Sequence, residues 1–282
     1  MQRYYFIITQ MEFDLRARSN DTLKSVYQFN DDHLIDSDTY RLCMTDCYMS
    51  TLSFVKGAAE ASGVNLDCET LERWKRIGNA AYLIDRFVDT APDIQTACDM
   101  YDERMQQAFE GTSEQILNGT HLPVNIDTRL QPAIVLLKNS VSILPIGQLY
   151  QLKHAAKMIN NITRAKESCD DTNDYIMLLK QEAHHTGTLI IESASPEVKR
   201  QAHYSEFALW CRHAMQLGTL GDSAIDLRQD HEQGITKVTP TVRNIARIAL
   251  QVYKPGRAMV HTWPQGRATV GSLWERSKFF RH

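Results

Sequence analysis

Apolar residues recur at intervals of three and four along most of the chain, and the alternating runs typical of strands are sparse. Such spacing places apolar side chains on one face of an α-helix. The clearest run begins after Asp67, a predicted N-cap, and extends toward Asp89. Its apolar positions are Leu71, Trp74, Ile77, Ala81 and Ile84.

Glycine, proline and short polar clusters divide the remainder into further predicted helices. The segment 111–127 is predicted to be mostly loop, and no internal repeat or linker between domains is present. The pattern therefore predicts one all-helical domain over residues 1–282, with nine or ten helices. The first two predicted helices cover 39–55 and 67–89, and the third contains Pro92 early and ends near Gly111. A helical stretch that is bent or broken at Pro132 and Pro145 begins near Thr128. The others are predicted over 147–167, from the polar stretch 170–174 to Glu192, from Pro196 to Asp230, after Pro240 and near Gly266.

Charge and cysteine content narrow the function classes. The net charge is −3 and no basic stripe is present, which argues against a nucleic-acid partner. The six cysteines form no CxxC pair, as expected of thiols in a reducing compartment. The N-terminal segment lacks a signal-peptide pattern, and no window approaches the ~18 apolar residues of a membrane span. We therefore expect a cytoplasmic protein without stable membrane insertion.

Two aspartates mark the end of the predicted helix before Thr90. Asp85 and Asp89 are four residues apart, so they share one helix face and repel each other. The C-terminal end of a helix also disfavours anions. Because the flanking residues are largely apolar, we interpret the pair as a site for a cation. The alternative is a solvated surface pair neutralised by Arg86.

A second acidic ladder lies about 140 residues later. Asp222, Asp226 and Asp230 follow one another at intervals of four, so three carboxylates line one helix face over two turns. Hard divalent cations such as Mg²⁺ prefer oxygen ligands and bridge carboxylates to phosphate. The alternative is an ordinary solvated acidic face. If the two predicted helices face each other, the ladders meet at one mouth of a cavity.

The two motifs carry a resemblance to a known family. The segment from Tyr82 to Asp89 resembles the first acidic motif of squalene/phytoene synthases and tetraprenyl-β-curcumene synthases, and the segment from Asp222 to Asp230 resembles their second. Together they resemble the class I isoprenoid (terpene) synthases, with Asp222 favouring the curcumene-synthase branch. The DDxxD string at 170–174 lies in a polar, cap-like stretch and is interpreted as a helix start, unlike the motif of chain-elongating prenyltransferases.

The resemblance implies a fold, a cofactor and a reaction. The fold is a single-domain helical bundle around a central apolar cavity, the isoprenoid synthase fold. The reaction is that of a terpene synthase or cyclase, a lyase that ionises a prenyl diphosphate and releases diphosphate. The implied catalytic residues are Asp85, Asp89, Asp226 and Asp230, and the residues implied to bind three Mg²⁺ ions are Asp85, Asp89, Asp222, Asp226 and Asp230.

Further candidates follow from this chemistry. Basic residues near the second ladder could hold the diphosphate, and aromatic faces could stabilise a carbocation. The plainer interpretation is surface solvation for the basic residues and core packing for the aromatic ones. The diphosphate candidates are Lys180, Arg228 and Lys237, and the substrate-pocket candidates are Tyr82, Phe54 and Trp210.

Other functions stay open at this point. A prenyl-coupling synthase or prenyltransferase would use the same fold on two substrates, and a helical binding protein could carry an acidic face without catalysis. A di-iron bundle normally needs two Glu-x-x-His pairs, and only Glu182 and His185 have that spacing. The sequence is compatible with a homodimer.

Overall fold

The computed structural model describes residues 55–262, except 57, 61, 90, 92, 111–129, 142 and 143. About 83% of the described residues are helical and none lies in a strand, which confirms the all-α prediction. Several predictions lie outside the described residues. They are the helix over 39–55, of which only residue 55 is described, the helix near Gly266, the loop over 111–127 and the pocket candidate Phe54.

Nine helices are bounded within the described residues. Those that carry the two acidic ladders are the first and the seventh. None of the described helices has a stretch long and apolar enough to cross a membrane. The bounds are α1 (Cys68–Asp89), α2 (Ile94–Glu110), α3 (Gln131–Val141), α4 (Ile146–Ser168), α5 (Thr172–Glu192), α6 (Pro196–Lys199), α7 (Tyr204–Glu232), α8 (Val242–Gln251) and α9 (Tyr253–Thr262).

Side-chain caps fix where α1 and α5 begin. An oxygen of Asp67 accepts a hydrogen bond from the backbone N–H of Thr70 at 2.7 Å. The Asp171 carboxylate accepts from the backbone N–H groups of Asn173 and Asp174 at 2.7 and 3.1 Å. Such caps satisfy backbone donors that lack a partner within the helix. The predicted N-cap at Asp67 and the interpretation of the DDxxD string as a helix start are both confirmed.

The C-terminus of α7 is a Schellman motif. Gly234 has φ +78°, a left-handed conformation that glycine adopts without strain. The N–H of Ile235 donates to the carbonyl of Asp230 at 2.8 Å, and the N–H of Gly234 donates to that of His231 at 3.2 Å. The chain therefore turns shortly after the last aspartate of the second ladder.

The region after Pro196 differs from the prediction. It forms two helices, because the short α6 ends at Lys199 and α7 starts at Tyr204. Ser195 caps α6 by accepting from the N–H of Val198, and the Tyr204 hydroxyl donates to the carbonyl of Ile191 at 2.6 Å. These contacts fold the chain back against the end of α5, which a continuous helix would not allow.

Helix α5 lies between the helices of the two ladders. It packs along α4 on one side and α7 on another, and it also contacts α1 and α8. Helix α3 packs against α1 and α2, while α8 and α9 pack on α7. One buried cluster joins α1, α2 and α3, and another joins α5, α7 and α8. The side chains of α5 can therefore reach both ladders.

Candidate functional site

An apolar pocket of about 200 Å³ lies among α1, α2, α3, α4 and α5. Along α1 its lining positions are spaced by three or four residues, so a single helix face supplies both apolar side chains and Asp85. The apolar lining comprises Ile77, Ala81, Ile84, Val88, Tyr101, Met105, Phe109, Leu137, Val141, Leu152, Ala156, Ile159, Leu189 and Ile235.

The pocket also has a charged lining of three side chains. Asp85 comes from α1, Lys166 from α4 and Glu182 from α5. The Lys166 ammonium donates to both oxygens of the Glu182 carboxylate at 2.9 Å. The two side chains are only 13% and 19% exposed, so this is a largely buried ion pair. An apolar wall next to fixed charges suits a ligand with an apolar part and a charged part.

The buried ammonium lies in the electrostatic field of the first ladder. Burial alone would lower the pKa of Lys166, but the Glu182 carboxylate, Tyr175 and Asp85 together raise it above the ordinary value. Lys166 is therefore protonated across the physiological range. Its charge acts on Asp85, which is solvent-exposed at the end of the α1 pocket face.

The second ladder reaches the same ion pair. Partial burial raises the pKa of the Asp222 carboxyl, Asp226 and Glu182 raise it further, and Lys166 opposes them. Asp222 still keeps substantial solvent contact, so the like charges of its neighbours remain an important part of this effect. The Lys166–Glu182 pair is thus electrostatically coupled to Asp85 on one side and to Asp222 on the other.

Tyr175 connects the far end of the second ladder to this cluster. Its hydroxyl donates a long hydrogen bond of 3.5 Å to an oxygen of Asp230. Burial raises the pKa of Tyr175, so the hydroxyl stays neutral and serves as a donor. Asp85 and Asp222 are therefore linked electrostatically to one buried pair that the sequence analysis did not predict, whereas Asp226 acts on Asp222 and Asp230 is reached through Tyr175. Asp89 ends α1, and its side chain is outside the described set.

The three residues predicted to bind diphosphate lie outside the lining of the pocket. The Lys180 ammonium donates to the side-chain oxygen of Gln251 at 2.9 Å and so ties α5 to α8. Arg228 and Lys237 are exposed, on α7 and in the segment after it. None of these three lines the pocket described above.

The aromatic candidates also lie away from the pocket lining. Tyr82 packs against the buried cluster of α1–α3. Trp210 is fully buried in a different cluster that includes Trp74 and Phe207. The aromatic side chains in the pocket wall are Tyr101 and Phe109, both from α2.

A sequence signal for Lys166 and Glu182 does exist. On α4, Leu152, Ala156, Ile159, Thr163 and Lys166 follow one another at helical spacing, so a lysine continues the inward stripe. On α5, Glu182 stands four and seven residues before Thr186 and Leu189, which share the pocket lining. A charge on the inward face of each of two neighbouring helices indicates a buried pair.

The donors for a metal ion are incomplete in the described residues. Among their side chains, which leave out that of Asp89, no three of the types His, Cys, Asp and Glu form a group that could hold a metal ion. Mg²⁺ usually takes only one or two protein carboxylates and completes its shell with water and substrate phosphate.

The fold and the site together define an all-helical protein with an apolar pocket that borders a buried ion pair and two acidic ladders. Comparison with protein-family models, with curated proteins and with solved structures finds no match to the chain. The likeness to class I isoprenoid synthases therefore rests on the two acidic motifs alone.

Proposed function

We propose that the chain is a Mg²⁺-dependent terpene synthase or cyclase that ionises a prenyl diphosphate and releases diphosphate. The observation that carries this proposal is the pocket, whose lining is apolar over most of its surface and charged at Asp85, Lys166 and Glu182. A prenyl diphosphate has the matching form, with an apolar chain joined to a polyanionic head.

The pocket is large enough to hold a small apolar group. Its volume of about 200 Å³ exceeds the ~150 Å³ of an engineered protein cavity that binds benzene. The apolar wall would shield the prenyl chain from water, and Tyr101 and Phe109 in that wall would supply aromatic rings near a developing carbocation. Burial raises the pKa of Tyr101, so its ring remains the neutral phenol.

The charged residues would act on the head group. Lys166 places a permanent positive charge at the pocket, and the ladder residues Asp85, Asp89, Asp222, Asp226 and Asp230 would hold Mg²⁺ together with phosphate oxygens. Bound Mg²⁺ would neutralise charge on the departing diphosphate. Glu182 orients Lys166 through two hydrogen bonds of 2.9 Å.

Two other functions make different predictions. A prenyl-coupling synthase must seat two apolar chains, so its product would have the carbon count of two substrates. A non-catalytic helical protein would use Lys166 as the internal cation of its acidic cluster and would release no diphosphate. Product analysis separates all three.

The test is incubation of the full chain with prenyl diphosphates of increasing length, with and without Mg²⁺, followed by diphosphate and mass analysis. We expect Mg²⁺-dependent release and a product with the carbon count of one substrate. Asp85→Ala and Asp226→Ala should each lower turnover by ~100-fold or more, because removal of one electrostatic contact to a leaving group has effects of that size. Both variants should keep the thermal midpoint, since each relieves repulsion within a ladder.

The matched control is Asp170→Ala in the DDxxD string. Asp170 is exposed and precedes the capping residue of α5, so its loss should leave turnover unchanged. Absence of turnover with every prenyl diphosphate, or wild-type turnover in both ladder variants, would refute the proposal. Products with the carbon count of two substrates would instead establish the coupling reaction.

A further inference from the structure

Helix α8 carries an apolar surface that its packing does not use. Ile248 is buried and Ile245 packs beside it against the cluster shared by α5 and α7. At about 100° per residue, Val242, Ala246 and Leu250 form a separate stripe on the outward side. Val242 is 86% exposed, Leu250 71% and Tyr253, at the start of α9, 69%. The apolar arc of α8 is therefore much wider than the face that the core covers.

Positive charge surrounds this outward stripe. Residues 233–262 contain five lysines and arginines and no aspartate or glutamate, in a chain whose net charge is −3. Arg243, Lys254 and Arg257 are exposed on α8 and α9. This combination of outward aliphatic and aromatic side chains with flanking cations is the chemistry of a helix that lies on an anionic bilayer.

The surface is preformed. Thr241 caps α8 by accepting from the N–H of Asn244 at 3.2 Å. The Arg247 guanidinium donates to the side chain of Asn173 at the start of α5, and Lys180 of α5 donates to Gln251 at 2.9 Å. These bonds hold α8 against the bundle with Val242, Ala246 and Leu250 outward, so contact with a membrane needs no rearrangement of the helix.

We propose that the outward face of α8 and the start of α9 dock the protein peripherally on an anionic lipid surface. A second copy of the chain is a poorer occupant, because a twofold interface would place the same basic patch opposite itself. A nucleic acid would satisfy the cations but would leave Val242 and Leu250 without an apolar partner. Acyl chains next to anionic head groups satisfy both requirements. The inference does not depend on the proposed reaction.

The test is flotation of the full chain with vesicles of phosphatidylcholine alone and of phosphatidylcholine with phosphatidylserine. We expect binding to the anionic vesicles that weakens as salt rises. Arg243→Gln/Lys254→Gln should lower the partition coefficient by about tenfold or more, since each cation near an anionic surface contributes roughly a factor of five. Leu250→Ser/Tyr253→Ser should lower binding at both low and high salt.

The matched control is Ile146→Ser/Tyr150→Ser. These side chains are also exposed and lie one turn apart on α4, but no charged residue falls within 139–152. The control should bind anionic vesicles as the wild type does. Equal binding to neutral vesicles, undiminished binding of the two α8–α9 variants, or no binding at all would overturn the inference. So would tighter binding to duplex DNA than to anionic vesicles, or a dimer in light scattering that the Leu250→Ser/Tyr253→Ser variant abolishes.

Discussion

Replacement of Lys166 by methionine tests whether this ammonium is the electrostatic centre of the site. Methionine keeps much of the length and volume of the side chain and removes the charge. Glu182 would then be a largely buried carboxylate without its bidentate donor, close to Asp85 and Asp222. We expect a large loss of stability, well beyond the cost of a lost surface ion pair.

The magnitude follows from the geometry. At 2.9 Å and an effective dielectric constant of about 20, the gross attraction between two unit charges is about 6 kcal/mol. The desolvation of both groups offsets part of this attraction, so the intact pair contributes far less. When one partner is removed, the desolvation penalty of the remaining buried charge is no longer offset. Lys166→Met should therefore destabilise the fold by about 3–5 kcal/mol.

Replacement of the partner carboxylate should destabilise the fold less than replacement of Lys166. In Glu182→Gln the Lys166 ammonium still has the field of Asp85 and Asp222, and the amide oxygen can accept one hydrogen bond. We expect a loss of about 1–2 kcal/mol. The double variant Lys166→Met/Glu182→Gln should be closer to the wild type than Lys166→Met, because it strands no buried charge.

Urea unfolding of the three variants and the wild type measures these differences. The control pair is Lys199–Glu192, 2.6 Å apart and 20% and 23% exposed, on α6 and α5. Lys199→Met and Glu192→Gln should differ from each other by less than the site variants do. Equal losses for Lys166→Met and Glu182→Gln would refute the idea that both ladders act on this ammonium. Millimolar Mg²⁺ should restore part of the stability of Lys166→Met, since a divalent cation can replace the lost charge.

Two further predictions concern the second ladder and its helix. The pKa of Asp222 is raised in the folded protein, so its ionised form opposes folding above that pKa. Without divalent cations Asp222→Asn should be more stable than the wild type at pH 7, and the difference should disappear in thermal scans as the pH falls through the raised pKa. Gly234→Ala should destabilise the protein by about 1 kcal/mol, because Gly234 has φ +78°. Gly218→Ala should instead stabilise the protein, because a Cβ at Gly218 on α7 meets open space and alanine favours helix by up to about 1 kcal/mol. Changes of the urea midpoint in the same direction for both glycine variants would contradict the conformational argument.

The ends of the helices were predictable where local capping residues determine them. Asp67, Asp171 and Gly234 act through hydrogen bonds to residues at most four or five positions away, so a local pattern suffices to find them. The break between α6 and α7 was missed because its cause is not local. The Tyr204 hydroxyl bonds to the carbonyl of Ile191 across the turn, and sequence periodicity alone gives no indication of that contact.

The sequence analysis identified the aspartate ladders but not the pairing of Lys166 with Glu182. The aspartate ladders have a spacing that can be read along one helix. Lys166 and Glu182 are 16 residues apart on different helices, and their pairing depends on how α4 packs on α5. The basic candidates were chosen for closeness to the second ladder along the chain, and Lys180 and Lys237 are closer in sequence but lie outside the pocket lining.

The buried ammonium changes what the ladders require. The repulsion within each ladder called for a cation, and Lys166 supplies one positive charge among Asp85, Glu182 and Asp222. That charge is already engaged by Glu182 through two hydrogen bonds. Burial raises the pKa of Asp222 most, and Asp226 and Glu182 raise it further against the effect of Lys166, so negative charge remains in excess on the α7 side. A cation drawn to this excess would lower the pKa of Asp222, whereas a site fully satisfied by Lys166 would show no such change when Mg²⁺ is added.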